Sequence, residues 1–162
     1  MTSEATEPSR ALRSGLPGDP ADFTALVEID MIAHLAKTAF SRVLPDDITY
    51  AQFGVLNRLV RLDGPESVGQ LAKAFMVAQP TMSSTVAKLE RAGWVTRDTD
   101  GADARRRPVR ITQSGRNKRD EGVRQLDRLR STMGPALDAA ALQAMLPQLR
   151  QLREAMESLV LT

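Results

Sequence analysis

Apolar residues recur along this chain at two spacings, and the change from one to the other separates helices from a short stretch of strand. Leu26, Ile29, Ala33, Ala36, Phe40 and Val43 fall at alternating steps of three and four, while Val27, Met31, Leu35 and Ala39 form a second stripe. The pattern predicts a helix that is apolar on two faces and has to be covered on both. Asp19 is placed to cap it, Pro20 suits the first helical position, Asp22 favours the positive helix end, and Pro45 stops it. Residues 1–18 mix Ser, Thr, Pro, Gly and charge without a period, and are expected to form a flexible arm.

Three shorter helices are predicted next. "TYAQ" at 49–52 has the form of a capping box and opens a helix with Phe53, Leu56, Leu59 and Val60 inside. "LDGPES" is expected to turn. Ser67 with Gln70 makes a second capping box, ahead of an inward Leu71, Ala72 and Phe75. After a break at 76–79, Pro80 opens a helix whose core face is Met82, Val86 and Leu89, and Gly93 stops it. The period then drops to two. "WVTR" and "PVRI" predict a two-stranded hairpin around a loop that contains Gly101 and most of the arginines. Ser114 is expected to cap a long helix through Val123, Leu126, Leu129 and Met133, which Gly134-Pro135 breaks. A last helix carries Leu142, Met145, Leu149, Leu152, Met156 and Leu159 on a three-four repeat close to a coiled-coil seam. Pro147 inside that repeat should kink the helix or mark a shifted start.

Helix, helix–turn–helix and two-stranded hairpin, in that order, make a winged helix. The fold class is therefore mostly α with a small two-stranded β-wing. In the helix opened by Pro80, Thr81, Ser84, Thr85 and Lys88 share the outward face, Gln79 and Ser83 flank it, and Arg91 lies toward its far end. Small hydroxyl residues let a helix approach a major groove and bond to phosphates or bases. A polar stripe alone is equally a solvated face. Charge changes the picture. The formal net charge is only +2, and residues 1–30 hold two arginines against six carboxylates. Residues 79–110 hold seven basic residues against four acidic ones, among them Arg97, Arg105, Arg106, Arg107 and Arg110. A basic hairpin next to a hydroxyl-rich helix points to double-stranded DNA, with the wing tip at a minor groove.

The stretch "LAKAFMVAQPTMSSTVAKLERAGWVTRDTDGADARRRPVRITQSG" resembles the winged-helix signature of the MarR (multiple antibiotic resistance regulator) family. Leu71-Ala72, "KLERAGWVTR", Asp103-x-Arg105, Ile111-Thr112 and Gly115 carry the likeness, and the flanking helices extend it over roughly residues 22–160. The resemblance implies a homodimer with intertwined N- and C-terminal helices that binds pseudo-palindromic operators. Its function would be that of a transcriptional regulator, usually a repressor relieved by a small aromatic or anionic effector. By the same resemblance Arg105 enters the minor groove and Asp103 braces the wing, while Arg106-Arg107-Pro108 is more basic and stiffer than usual. The implied division is a dimerisation helix over 19–44, a winged helix-turn-helix region over 45–113, and C-terminal dimerisation helices over 114–162. An effector pocket is expected where the first helix, the helix from Thr49 and the long helix meet the winged helix, with His34 and Lys37 facing an anion and Tyr50 and Phe53 as an aromatic wall. The alternative for His34 and Lys37 is a satisfied structural residue and a surface one.

Other classes are set aside by absences. The chain has no cysteine and one histidine, which removes thiol chemistry, disulfides and multi-histidine metal sites. No nucleophile elbow or phosphate loop occurs, so an enzyme is not expected and no cofactor is implied. No apolar run approaches a membrane span, and nothing has the form of a secretory signal, which favours a cytoplasmic protein. The competing readings are a winged-helix protein-interaction module and an activator without an effector.

Overall fold

The computed structural model describes residues 13, 15–97, 108–133 and 139–160. The wing tip with Asp103, Arg105, Arg106 and Arg107, most of the N-terminal arm, the Gly134-Pro135 break and the side chains of Leu126, Leu129 and Met133 lie outside the described residues. The chain divides into two compact units, residues 1–42 and 43–162.

The first unit is essentially one helix, α1 (Ala21–Val43), in which no residue is buried. Phe23, Leu26, Ile32 and Leu35 are exposed along it. The cap differs from expectation. The Asp19 carboxylate accepts from the Leu16 N–H at 2.7 Å, upstream of the helix. Pro20 stands just outside α1 and lends its carbonyl to the Thr24 N–H.

The second unit holds α2 (Tyr50–Leu62), β1 (Glu66–Ser67), α3 (Val68–Ala74), α4 (Gln79–Arg91), β2 (Val95–Arg97), β3 (Pro108–Ile111), α5 (Gln113–Met133) and α6 (Ala139–Val160). Both capping boxes form: Thr49 with Gln52 opens α2, and Ser67 with Gln70 opens α3. Each reciprocally satisfies two backbone donors that a helix start leaves open. The core is built by Val55, Leu56 and Leu59 from α2, Leu71 from α3, Met82, Val86 and Leu89 from α4, and Val95 and Val109 from the strands.

The expected two-stranded wing is a three-stranded antiparallel sheet, ordered β1-β3-β2. Glu66 and Ser67, expected in a turn, pair with Val109 and Pro108 of β3. Two residues cannot show a period of two, so no local pattern marks β1 as a strand. Arg58 of α2 fixes it by donating through Nε to Glu66 Oε2 at 2.6 Å and through Nη2 to Oε1 at 2.8 Å. The hydrogen bonds and the charge of Glu66 hold the Arg58 guanidinium above its ordinary pKa, against the opposing effect of burial.

Two further expectations are corrected. Thr112, not Ser114, caps α5: its hydroxyl oxygen accepts from the Gly115 N–H at 3.0 Å and itself donates to the Gly93 carbonyl at 2.7 Å. Of the two alternatives for Pro147, the shifted start is the one corrected, because α6 begins at Ala139 and runs through it to Val160. The missing amide costs α6 one internal bond, eight residues into the helix. Leu142, Met145, Leu149, Met156 and Leu159 are exposed along this helix.

Candidate nucleic-acid interface

The helix–turn–helix is made by α3 and α4 and the tight connection between them. Phe75 ends α3, and Met76 adopts the left-handed region with φ 50°. Its N–H donates to the Lys73 carbonyl and that of Val77 to the Ala72 carbonyl, both at 3.1 Å, which closes a Schellman motif. Glycine usually occupies this position; here the break expected at 76–79 forms with Met76 in its place. Gly93 makes the equivalent closure after α4, with φ 73°. Its N–H donates to the Glu90 carbonyl at 2.9 Å, and the Trp94 N–H donates to that of Leu89 at 3.0 Å.

These two closures fix which face of α4 is turned outward. Met82, Val86 and Leu89 are buried, which leaves Gln79, Pro80, Thr81, Ser84, Lys88 and Arg91 exposed, with Ser83 and Thr85 half-buried at the edge. The Thr85 hydroxyl donates to the Thr81 carbonyl at 3.1 Å, so its lone pairs stay available as acceptors. The helix start at Ala78 has no side-chain cap, and Pro80 lies in the first turn. The positive end of α4 is thus open beside the hydroxyl residues. Lys88 has no ion-pair partner among the described residues, and Arg91 donates to the Ala87 carbonyl at 3.4 Å.

The base of the wing is bolted to this helix. Thr96 and Arg110 are register partners on the exposed side of the sheet, and Val95 and Val109 face the core. Arg97, expected among the wing's DNA contacts, has its guanidinium on Glu90 of α4. Nε donates to Glu90 Oε2 at 2.9 Å, and Nη2 makes a still closer contact to the same oxygen. The hydrogen bond from Arg97 is the largest cause holding the Glu90 carboxyl below its ordinary value, with burial opposing. Arg97 therefore positions the wing relative to α4. Because the folded value is depressed, the latch contributes stability above the ordinary carboxylate value of 4.5 and loses it as pH falls through the lower, folded value. In a carbon-13 NMR titration Glu90 should titrate below 4.5 in the native protein and return to the ordinary range in Arg97→Ala. A Glu90 that titrates normally in the native chain would contradict the latch.

Sequence reading missed a second support, the seat of α5. Lys118 Nζ donates to Asp47 at 2.8 Å and to Glu121 at 2.8 Å, and lies 5.4 Å from the centre of the Trp94 ring. Burial is the largest influence on Lys118 and lowers its pKa, but the two carboxylates outweigh it and the net shift is upward. Arg119 donates to Asn57 Oδ1 through two nitrogens at 3.1 Å. Arg119 and Asn57 are 62 residues apart in sequence and Lys118 and Asp47 71, so no spacing announces these two contacts.

The expected effector residues fall in different units. On α1, His34 and Lys37 are exposed, and His34 Nδ1 lies 3.6 Å from Asp30 Oδ1. In the second unit Tyr50 is exposed at the start of α2, whereas Phe53 is buried, with its ring packed against Gly122 of α5. Phe53 is thus a core residue and presents no open wall.

Fold and site together define a winged helix-turn-helix protein. Residues 46–106 match the MarR family model. The transcriptional activatory protein BadR of Rhodopseudomonas palustris is 35% identical over 85 residues, covering 51% of this chain and 49% of that protein. The chain thus aligns with about half the length of this curated relative. The transcriptional regulator BldR of Sulfolobus solfataricus is 25% identical with a TM-score of 0.67, over 85% of this chain and 99% of that one. The MepR–DNA complex of S. aureus shares the fold at 24% identity and a TM-score of 0.59, over 85% and 99% of the two chains. The matched family model and these relatives are those of transcription regulators. No helix among the described residues is long and apolar enough to cross a membrane.

Proposed function

We propose that the chain is a homodimeric, sequence-specific double-stranded DNA-binding transcriptional regulator, with α4 as the recognition helix and the hairpin as a minor-groove wing. The observation that carries the reading is the outward face of α4: Gln79, Thr81, Ser84 and Lys88 are exposed, with no ion-pair partner for Lys88 among the described residues and an uncapped helix start beside them. A surface meant for a protein partner would favour aromatics and apolar groups there. The fold shared with the MepR–DNA complex supports the same assignment at the level of architecture. The exposed apolar residues of α1 and α6 support their role as dimerisation helices, since seams of this kind are otherwise a liability. Two-fold related recognition helices then reach half-sites about one helical turn, ~10 bp, apart.

Repression relieved by a small anionic effector is the regulatory mode we favour. The activator role in BadR's name supports the second reading, activation.

The test begins with selection of bound sequences from random DNA. Titrations at several salt concentrations then compare the selected site with one of its half-sites. Lys88→Ala should weaken all sequences alike and lower the salt slope by about one, because a phosphate contact carries no base information. Arg105→Ala should cost the selected site roughly 1–3 kcal/mol. If no sequence is enriched, or if both variants bind like the parent chain at every salt concentration, the reading fails.

A further inference from the structure

The winged helix grips the first part of α5 at successive points and then releases it. Gly115 lies so near β2 that a β-carbon would stand 2.1 Å from the Trp94 carbonyl oxygen. Lys118 bridges Asp47, from the α1–α2 connection, and Glu121, both at 2.8 Å, with its ammonium 5.4 Å from the centre of the Trp94 ring. Its side chain is only 13% exposed. Arg119 donates to Asn57 Oδ1 of α2 through two nitrogens at 3.1 Å. At Gly122 a β-carbon would stand 2.7 Å from the Phe53 ring. Past this point Val123 and Arg124 are exposed, and the helix runs on to Met133.

The two glycines set how near α5 comes to the winged helix. Its direction needs bonds that resist tilt and rotation. Consecutive helix residues point about 100° apart around the axis, so Lys118 and Arg119 hold α5 in two directions, one toward Asp47 and one toward α2. The stretch beyond Gly122 is then a lever of roughly 16 Å, at about 1.5 Å per residue. A tilt of about 10° at the seat moves its far end by ~3 Å, close to the ~3.4 Å between successive base pairs. In a two-fold dimer the displacements of the two halves add. We infer that Lys118 and Arg119 are positioning residues that set the separation between the two half-sites the protein accepts, a step that rests on the homodimeric DNA-binding reading. Neither residue lies on the exposed face of α4 or on the wing, so neither reads bases. They act through the direction in which α5 leaves the winged helix.

The test uses the full chain and its own selected palindrome, remade with one or two base pairs added to or removed from the spacer, beside the isolated half-site. The parent chain should favour its own spacing by at least tenfold. In Lys118→Met and in Arg119→Gln that preference should fall at least fivefold, with half-site affinity within twofold of the parent and the assembly mass unchanged. Lys118→Arg keeps a cation between Asp47 and Glu121 and should restore the preference, and Arg124→Gln, past the seat, should leave it intact. An unchanged spacing profile in both Lys118→Met and Arg119→Gln would overturn the assignment. So would equal losses at half-site and palindrome, the result of a merely loosened fold. If Lys118→Met unfolds in urea controls, the half-buried Arg119 decides through Arg119→Gln alone. A parent chain that enriches no sequence defeats the DNA-binding reading and this assignment together, whereas normal binding with an unchanged profile defeats this assignment alone.

Discussion

Leu89→Ala is expected to cost about 2–5 kcal/mol of folding stability, a large share of the ~5–15 kcal/mol that holds a typical domain together. Leu89 is fully buried, at 0% exposure, on the side of α4 opposite the exposed hydroxyl and basic residues. Its carbonyl also accepts the Trp94 N–H that closes the end of the helix. Truncation removes the transfer energy of the lost methyl groups and leaves a cavity where α4 meets the sheet, and the surrounding helices can fill it only in part. Since one helix carries both the core anchor and the candidate DNA face, nucleic-acid binding should fall in step with the folded fraction. Urea unfolding is the measurement, with a lowered midpoint at constant slope as the expected result. A loss below about 1 kcal/mol would mean that Leu89 is not packed as described.

Gly115→Ala should destabilise by about 3 kcal/mol, at the upper end for overpacking. A β-carbon there would lie 2.1 Å from the Trp94 carbonyl oxygen and 2.9 Å from Ile111 Cγ1. That carbonyl also accepts the Thr112 N–H at 3.0 Å, so relief would have to move the first turn of α5 away from the strand. The sign makes the test sharp. Gly115 lies within helix α5, and in an open helix the same change is worth about 0.5–1 kcal/mol in the stabilising direction. Gly93→Ala is the reference. It has a left-handed φ of 73° but nothing within 4 Å of the added carbon, so it should cost only the ~1–2 kcal/mol of that conformation. Thermal unfolding of the two variants should rank Gly115→Ala as the more damaging, and a stabilised Gly115→Ala would disprove the contact.

Arg97 and Phe53 show where residue type misleads. An arginine next to a basic hairpin is expected at phosphates, yet Glu90 lies seven residues earlier and the fold returns β2 alongside α4, so the local ion pair takes the guanidinium. An aromatic on the first turn of α2 is expected in a pocket, yet Gly122 of α5 opens space that the Phe53 ring fills. In both cases the competing partner becomes a neighbour only through tertiary packing. Thr112 displaced Ser114 as the cap of α5 for a related reason: the hydroxyl that reaches both the Gly93 carbonyl and the Gly115 N–H is the one at the strand end, where β3 already holds the backbone.

The sequence by itself determined the helices, the capping boxes at Thr49 and Ser67, the buried face of α4 and the winged-helix order. Each of these rests on interactions within a few residues: a period of 3.6, a reciprocal pair at three-residue spacing, or a glycine that accepts a positive φ at little cost. The tertiary structure alone decided the third strand, the Arg58–Glu66 clamp, the Lys118 seat at Trp94 and the close approach at Gly115. These are meetings of residues far apart along the chain. Whether a charge finds a partner depends on which element the fold lays beside it, and no local spacing encodes that.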